Sequence, residues 1–165
     1  SLRATTMTAV LADIARSAAA SGFGRLVVVN GHAGNIGPGL SALAESGADG
    51  CTVEFVSYWT LVDAAEVRAL SPADGGGVGH AGELETSIAL HLGDLAVDER
   101  LPAPAGKALD EGPGSPDPFA RLPQPVAEAP SGVYGDPRGA TAELGELVIE
   151  QAAARLAAHL EACSG

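Results

Sequence analysis

Two periodicities divide the first 92 residues. Met7, Val10, Leu11, Ile14 and Ala18 recur at helical spacing and predict an amphipathic helix over 4–20 with that stripe turned inward. Thr5 or Thr6 is placed to cap its start and Gly22 to end it. Arg25-Leu-Val-Val-Val-Asn30 is a continuous β-branched run, which predicts a strand buried on both faces, as in a parallel sheet. A tight loop over 31–35 and a modest helix over 36–46 follow, the helix weakened by Gly37, Pro38 and Gly39. Cys51–Ser57 reads as a second apolar strand, with Tyr58-Trp59 at its carboxyl end. A short helix is expected over 61–70, stopped by Ser71-Pro72. This strand–helix alternation argues for an α/β sandwich with right-handed crossovers.

Beyond a glycine-rich loop over 74–79, Leu84, Ile88, His91 and Leu92 share one face of a helix over 83–92. The last helix, 141–163, carries Leu144, Leu147, Val148, Ala152, Leu156 and Leu160 as its stripe. Between them, residues 102–137 hold nine of the eleven prolines. That excursion is too long for an ordinary connection and suits a lid or a surface facing another subunit. At 165 residues the expectation is a single domain, 1–165, containing that excursion.

Charge removes some partners. The net charge is −12 and Lys107 is the one lysine, so no basic patch exists to neutralise phosphates and no nucleic acid is expected. No apolar run reaches the roughly 18 residues of a membrane span, so no membrane partner is expected either. Cys51 and Cys163 form no disulfide framework, and a reducing cytoplasm is the default compartment. Abundant Ala and Arg in place of Lys suggest a GC-rich bacterial source.

Two constellations could carry chemistry. In Asn30-Gly-His32-Ala-Gly-Asn35, glycines flank a histidine where a buried strand ends, the end at which parallel sheets bind ligands. A neutral imidazole there suits Zn²⁺ or a similar ion, although a ring bonded to a neighbouring carbonyl accounts for it equally well. In His80-Ala-Gly-Glu83-Leu-Glu85-Thr-Ser87, His80 and Glu83 are three apart, which lets both address one site at a helix start. Glu83 and Glu85 cannot both face that site, so one of them caps or orients; acids complementing a helix dipole are the plainer explanation of both. Trp59 suits a pocket wall but suits core packing better. His91 and His159 read as structural. No G-x-S-x-G elbow and no phosphate-binding loop is present.

Together these segments resemble the creatininase family (creatinine amidohydrolase-like metal hydrolases). Asn30–Asn35 is similar to its Asn-Gly-His-Gly-Gly-Asn strand end, with Ala33 replacing a glycine, and His80–Ser87 to its His-Ala-Gly-Glu-x-Glu-Thr-Ser helix start. Ser57-Tyr-Trp59 and Gly132-Val-Tyr134-Gly-Asp136-Pro, with Ala140-Thr141, add further matches, and the likeness runs from residue 1 to about 160. The resemblance implies a three-layer α/β/α sandwich with a mostly parallel sheet. It implies one or two divalent ions, Zn²⁺ or Mn²⁺, and hydrolysis of the C–N bond of a cyclic or linear amide. By the same resemblance His32 and Glu83 would be metal ligands converging on one ion, and Glu83 would thereby be catalytic. His80 would lie beside the substrate and give a proton to the leaving nitrogen, and Trp59 would line the pocket. The metal would polarise the carbonyl and lower the pKa of water. The implied partners are a small-molecule amide and further copies of the chain.

One departure sets a contrary expectation. The family's Glu-x-His-Gly-x-His-Leu-Pro segment, which supplies most of its metal ligands, is not in this sequence. His32 and Glu83 are two ligands where catalytic zinc takes three. The chain alone is therefore expected to hold metal weakly and to hydrolyse amides poorly. A catalytically silent, truncated member acting as an interaction module is the competing reading, and a nucleotide- or sugar-binding domain a weaker third.

Overall fold

The computed structural model of the chain describes residues 2–71, 80–93, 132, 133 and 135–163. The loop over 74–79 and most of the Pro-rich stretch 102–137 lie outside the described residues. The chain divides into two compact units, residues 1–61 and 62–165.

The first unit begins with α1 (Ala4–Ala20), which ends in a Schellman turn. The Phe23 N–H donates to Ala18 O (3.1 Å) and the Gly22 N–H to Ala19 O (3.0 Å). Gly22 sits at φ +85°, a conformation that only glycine adopts without strain, as its position in the sequence suggested. Neither Thr5 nor Thr6 caps the start: both lie inside the helix, and the cap position is Arg3, with no side-chain bond.

The inward face of α1 also differs from the expected stripe. Thr8, Ala12 and Ala15 are buried, whereas Val10 and Ile14 are 43% and 49% exposed. Small residues win because α1 packs closely along α2 (Ile36–Glu45), whose own buried positions are Gly39 and Ala42. Thr8 Oγ1 donates to Pro38 O at 3.2 Å. Arg16 donates to the carbonyls of Glu45 and Ser46 at the α2 carboxyl end, where a cation complements the helix dipole. Pro38 falls in the first turn of α2, where its missing N–H costs nothing. A side chain at Gly39 would strike the ring of Phe55, so this glycine, expected to weaken the helix, instead lets it pack.

Strands β1 (Arg25–Asn30) and β2 (Thr52–Ser57) pair in parallel, Arg25 opposite Thr52 through to Asn30 opposite Ser57. β1 is not buried on both faces: most of it is half-buried and Val29 is 49% exposed. Among the described residues the sheet has these two strands, too few to cover a central strand.

In the second unit, α3 (Ala64–Leu70) starts three residues later than expected because Asp63 is its cap. Asp63 Oδ1 accepts from the N–H groups of Ala65 (2.7 Å) and Glu66 (3.2 Å). The backbone N–H of Glu66, then that of Ala65, holds this carboxyl below its usual range. Helices α4 (Glu83–Leu92) and α5 (Ala142–Ala162) form the main packing contact of the unit. Thr141 caps α5, accepting from the Leu144 N–H at 3.1 Å. The buried residues are Glu83, Leu84 and Ser87 on α4 and Leu144, Gly145 and Val148 on α5. This corrects the expected α4 face: Leu92 is 57% exposed. The helices meet over Ser87 and Gly145, and a Cβ at Gly145 would overlap the backbone carbonyl of Ser87. Gln151 on α5 ties in α3, accepting from Asp63 N (2.7 Å) and donating to Glu66 Oε2 (2.8 Å). Cys51 and Cys163 are both free thiols. Among the described residues no helix is long and apolar enough to cross a membrane.

Two measurements test this packing. Gly145→Ala should destabilise the chain by about 1–3 kcal/mol, because backbone must move to admit the methyl group; urea unfolding midpoints report it. The second concerns Asp136, which Arg138 binds through both carboxylate oxygens and which is held down to about 2 from the ordinary 3.8. Its depressed value stabilises the fold fully above pH 3.8, and that contribution disappears as pH falls through about 2. The midpoint difference between wild type and Asp136→Asn should be full at pH 5, largely lost by pH 2 and reduced by salt.

Candidate metal and amide site

His32 and Trp59 both belong to the carboxyl end of the parallel strand pair. The polypeptide leaves β1 at Asn30, which is 4% exposed and lies opposite Ser57. Asn30 Nδ2 donates to Ser57 Oγ (3.0 Å), which joins the two strand ends. Asn30 Oδ1 accepts from the His32 N–H (3.1 Å) and from Asn35 Nδ2 (3.4 Å). One amide side chain thus fixes both the start and the close of the histidine loop. Residues Ala33–Asn35 make a single 3₁₀ turn that feeds directly into α2.

The His32 side chain is exposed on this loop. A Cβ at Gly34 would stand 3.1 Å from His32 Nε2 and 3.2 Å from Cδ2. The absence of a side chain at Gly34 therefore lets the imidazole lie close over the loop backbone. Trp59 follows β2 in the 3₁₀ turn Tyr58–Thr60, half-buried and edge-to-face with Tyr58 (centroids 5.1 Å, 85°). Thr60 Oγ1 donates to Ser57 O at 2.8 Å and secures that turn.

His80 and Glu83 lie at the amino end of α4. His80 precedes the helix and is exposed; Glu83 is its first residue and is 1% exposed. The extended Gly82 separates them, so helical spacing does not govern how the two side chains stand. Ala81 sits at φ +52°, which costs an alanine roughly 1–2 kcal/mol. Glu85 supports that strained turn: its Oε2 accepts from the Ala81 N–H at 2.6 Å. The His80 carbonyl accepts from the Gly135 N–H at 3.0 Å. The two glutamates divide as their spacing required, Glu85 binding the turn and Glu83 facing inward.

Glu83 has an unusual environment. Its Oε2 accepts a hydrogen bond from Ser71 Oγ, a side chain 2% exposed. Its Oε1 is buried and meets no hydrogen-bond donor among the described residues. A carboxylate oxygen in that state asks for a proton, a donor or a cation. The sequence marked Glu83 but not Ser71, which had read only as a helix stop. Asn30 was part of the quoted motif, and its bond to Ser57 was not foreseeable without the strand register. His91 is half-buried with its Cβ at Gly145, and His159 is exposed on α5 beside Cys163. Among the described residues no three His, Cys, Asp or Glu side chains gather into one metal cluster. The Glu83 carboxylate, with one buried oxygen that meets no donor among the described residues, is of a chemistry that divalent ions take.

Comparison with known proteins places these features. The family model for creatininase, creatinine amidohydrolase, matches residues 1–160. The creatinine amidohydrolase of Pseudomonas putida is 32% identical over 161 residues, covering 91% of this chain and 60% of that protein. The mycofactocin precursor peptide peptidase of Mycobacterium ulcerans (strain Agy99) is 32% identical over 152 residues, covering 92% and 53%. A solved creatinine amidohydrolase superposes with a TM-score of 0.78 at 30% identity, over 97% of this chain and 64% of the other. A manganese creatininase superposes with a TM-score of 0.76 at the same identity and coverage. The chain thus spans roughly three fifths of the relatives it matches. Its α/β fold with parallel strands is of the creatininase type, and the chain belongs to the creatininase family.

Proposed function

We propose that this chain contributes metal-binding and substrate-binding residues to a metal-dependent amidohydrolase that cleaves a C–N bond in a cyclic or linear amide. The observation that carries the reading is Glu83, a buried carboxylate with one oxygen unpartnered. Burying a charge is costly unless something of opposite sign or a donor meets it. The two curated relatives, a creatinine amidohydrolase and a peptide peptidase, support amide hydrolysis as the class and leave open a range of substrates. The manganese form of a solved creatininase supports a divalent ion, and Zn²⁺ or Mn²⁺ is proposed here.

In this reading His32 and Glu83 each act as a metal ligand. A divalent ion supplies Lewis-acid polarisation of the amide carbonyl and lowers the pKa of water. The protein's own residues do the remainder. Asn30 holds the His32 loop by its backbone, so the imidazole is presented from a fixed turn. His80, exposed on the turn that Glu85 and Gly135 secure, hands a proton to the leaving nitrogen. Trp59, half-buried and braced by Tyr58, offers an apolar wall to the amide. The compartment proposed is the cytoplasm of a bacterium, and the working form a homo-oligomer.

Calorimetric titration of the chain with Zn²⁺ and with Mn²⁺ tests the ligands. Loss of the groups that merely orient ligands costs roughly 10–100-fold in metal affinity, so His32→Ala and Glu83→Gln should each lose at least that much. Wild-type affinity in both variants would refute the proposal. Hydrolysis of creatinine and of linear amides, expected to be weak for the chain alone, should stop with EDTA and return with added metal. His80→Asn should leave metal binding intact and slow hydrolysis by about 10²–10⁴-fold. Asn30→Ala strips a buried network of its centre. It should lower stability by about 1–3 kcal/mol in urea and weaken metal binding although every ligand remains.

A further inference from the structure

We infer that Asp136 is a positioning residue for His80, an assignment that rests on reading His80 as the group that hands a proton to the leaving nitrogen. The peptide unit joining His80 to Ala81 is gripped at both ends. Its carbonyl oxygen accepts from the Gly135 N–H at 3.0 Å, and its N–H donates to Glu85 Oε2 at 2.6 Å. The grip has something to hold against. Ala81 sits at φ +52°, and rotation of this one peptide plane is the simplest way for the turn to relax. Such a rotation would break both bonds and release the backbone from which the imidazole projects.

Glu85 belongs to α4, so that half of the grip is local. The other half comes from far along the chain, and Gly135 is only as fixed as the residues that follow it. Asp136 Oδ1 accepts from the Arg138 N–H at 3.0 Å, which closes an Asx turn, and from Arg138 Nε at 2.8 Å. Its Oδ2 accepts from Arg138 Nη2. Pro137, buried between the two, fixes its own φ. The Ala140 N–H then closes a second turn on the Pro137 carbonyl at 3.1 Å. Both oxygens of Asp136 are therefore spent on the turn that presents the Gly135 N–H. The far end of the segment is tied separately, where the Thr141 N–H donates to Ser87 Oγ at 3.1 Å. Removing the Asp136 carboxylate thus loosens the His80 end and leaves the cap of α5 in place.

The test compares Asp136→Ala, Asp136→Asn, Arg138→Ala and His80→Asn, each checked for folding by circular dichroism. Amide hydrogen exchange at Gly135 and the His80 ring signals are followed by NMR, and hydrolysis of creatinine and linear amides is followed with added Mn²⁺. Asp136→Ala should raise Gly135 exchange by about tenfold or more, while Thr141 keeps its protection. The His80 ring signals should shift, and kcat should fall roughly 10–100-fold with KM little changed. Asp136→Asn keeps an oxygen for the Arg138 N–H and should restore the Gly135 protection and most of kcat, a rescue that an effect of charge alone would not follow. Should Asp136→Ala fail to fold, Arg138→Ala, which leaves the backbone bond of the turn, takes its place with the same direction and a smaller size. Hydrolysis by the chain alone is expected to be weak, so the exchange and the ring signals decide where turnover is too slow to follow. A protected Gly135 and unmoved His80 signals in Asp136→Ala and Arg138→Ala would overturn the inference. Wild-type kcat in Asp136→Ala beside slow hydrolysis in His80→Asn would overturn the positioning role alone. Wild-type hydrolysis in His80→Asn would overturn the reading of His80 and this inference with it.

Discussion

Glu83 brings a carboxylate to a place that water does not reach, and the second unit is arranged around that fact. An unpaired charge inside a protein is among the most costly features a fold can hold. Here the cost is met in part by Ser71, reaching across from the end of α3. Further along the helix that Glu83 begins, Gly145 of α5 lacks the side chain that would hold α4 and α5 apart at Ser87. The same contact lets Ser87 reach the cap of α5 through the Thr141 N–H. Close packing of the two helices and the cap of α5 thus meet at Ser87.

The first unit solves a different problem with an uncharged group. A loop that presents a histidine needs fixed ends, yet it cannot be buried without orphaning its own backbone. Asn30 meets both needs because its side chain donates and accepts at once. It sits at the last position of β1, opposite Ser57, where the strand register delivers a hydroxyl at the right height. A one-residue slip in that register would turn Ser57 to the opposite face and leave Asn30 without it.

Element positions were legible in the sequence because they depend on local signals. The β-branched run over 25–30, the glycine that ends α1 and the Pro-free periodic stretch over 142–162 each settle their element with little help from elsewhere. Helix faces were less legible. Counting apolar residues favoured Val10 and Ile14 on α1 and Leu92 on α4, all of them exposed. The packed faces are built from Thr8, Ala12, Ala15, Ser87 and Gly145, whose value lies in what they lack. Close approach is a property of a pair of helices, and no single helix announces it. The site followed the same division. His32, His80 and Glu83 stood out as residue types in glycine-rich settings, and the opposed directions of Glu83 and Glu85 followed from helical geometry. Ser71 did not stand out, because its role exists only through a contact twelve residues away.

Histidine and glutamate are placed in opposite settings: His32 stands on an exposed loop, and Glu83 lies in the interior. A buried carboxylate interacts strongly with whatever faces it, because water does not screen it. Ser71 satisfies one oxygen of Glu83 and so limits the penalty of burying it. Trp59 and Tyr58 are likewise braced edge-to-face against each other, so both rings are fixed by a neighbour before anything binds.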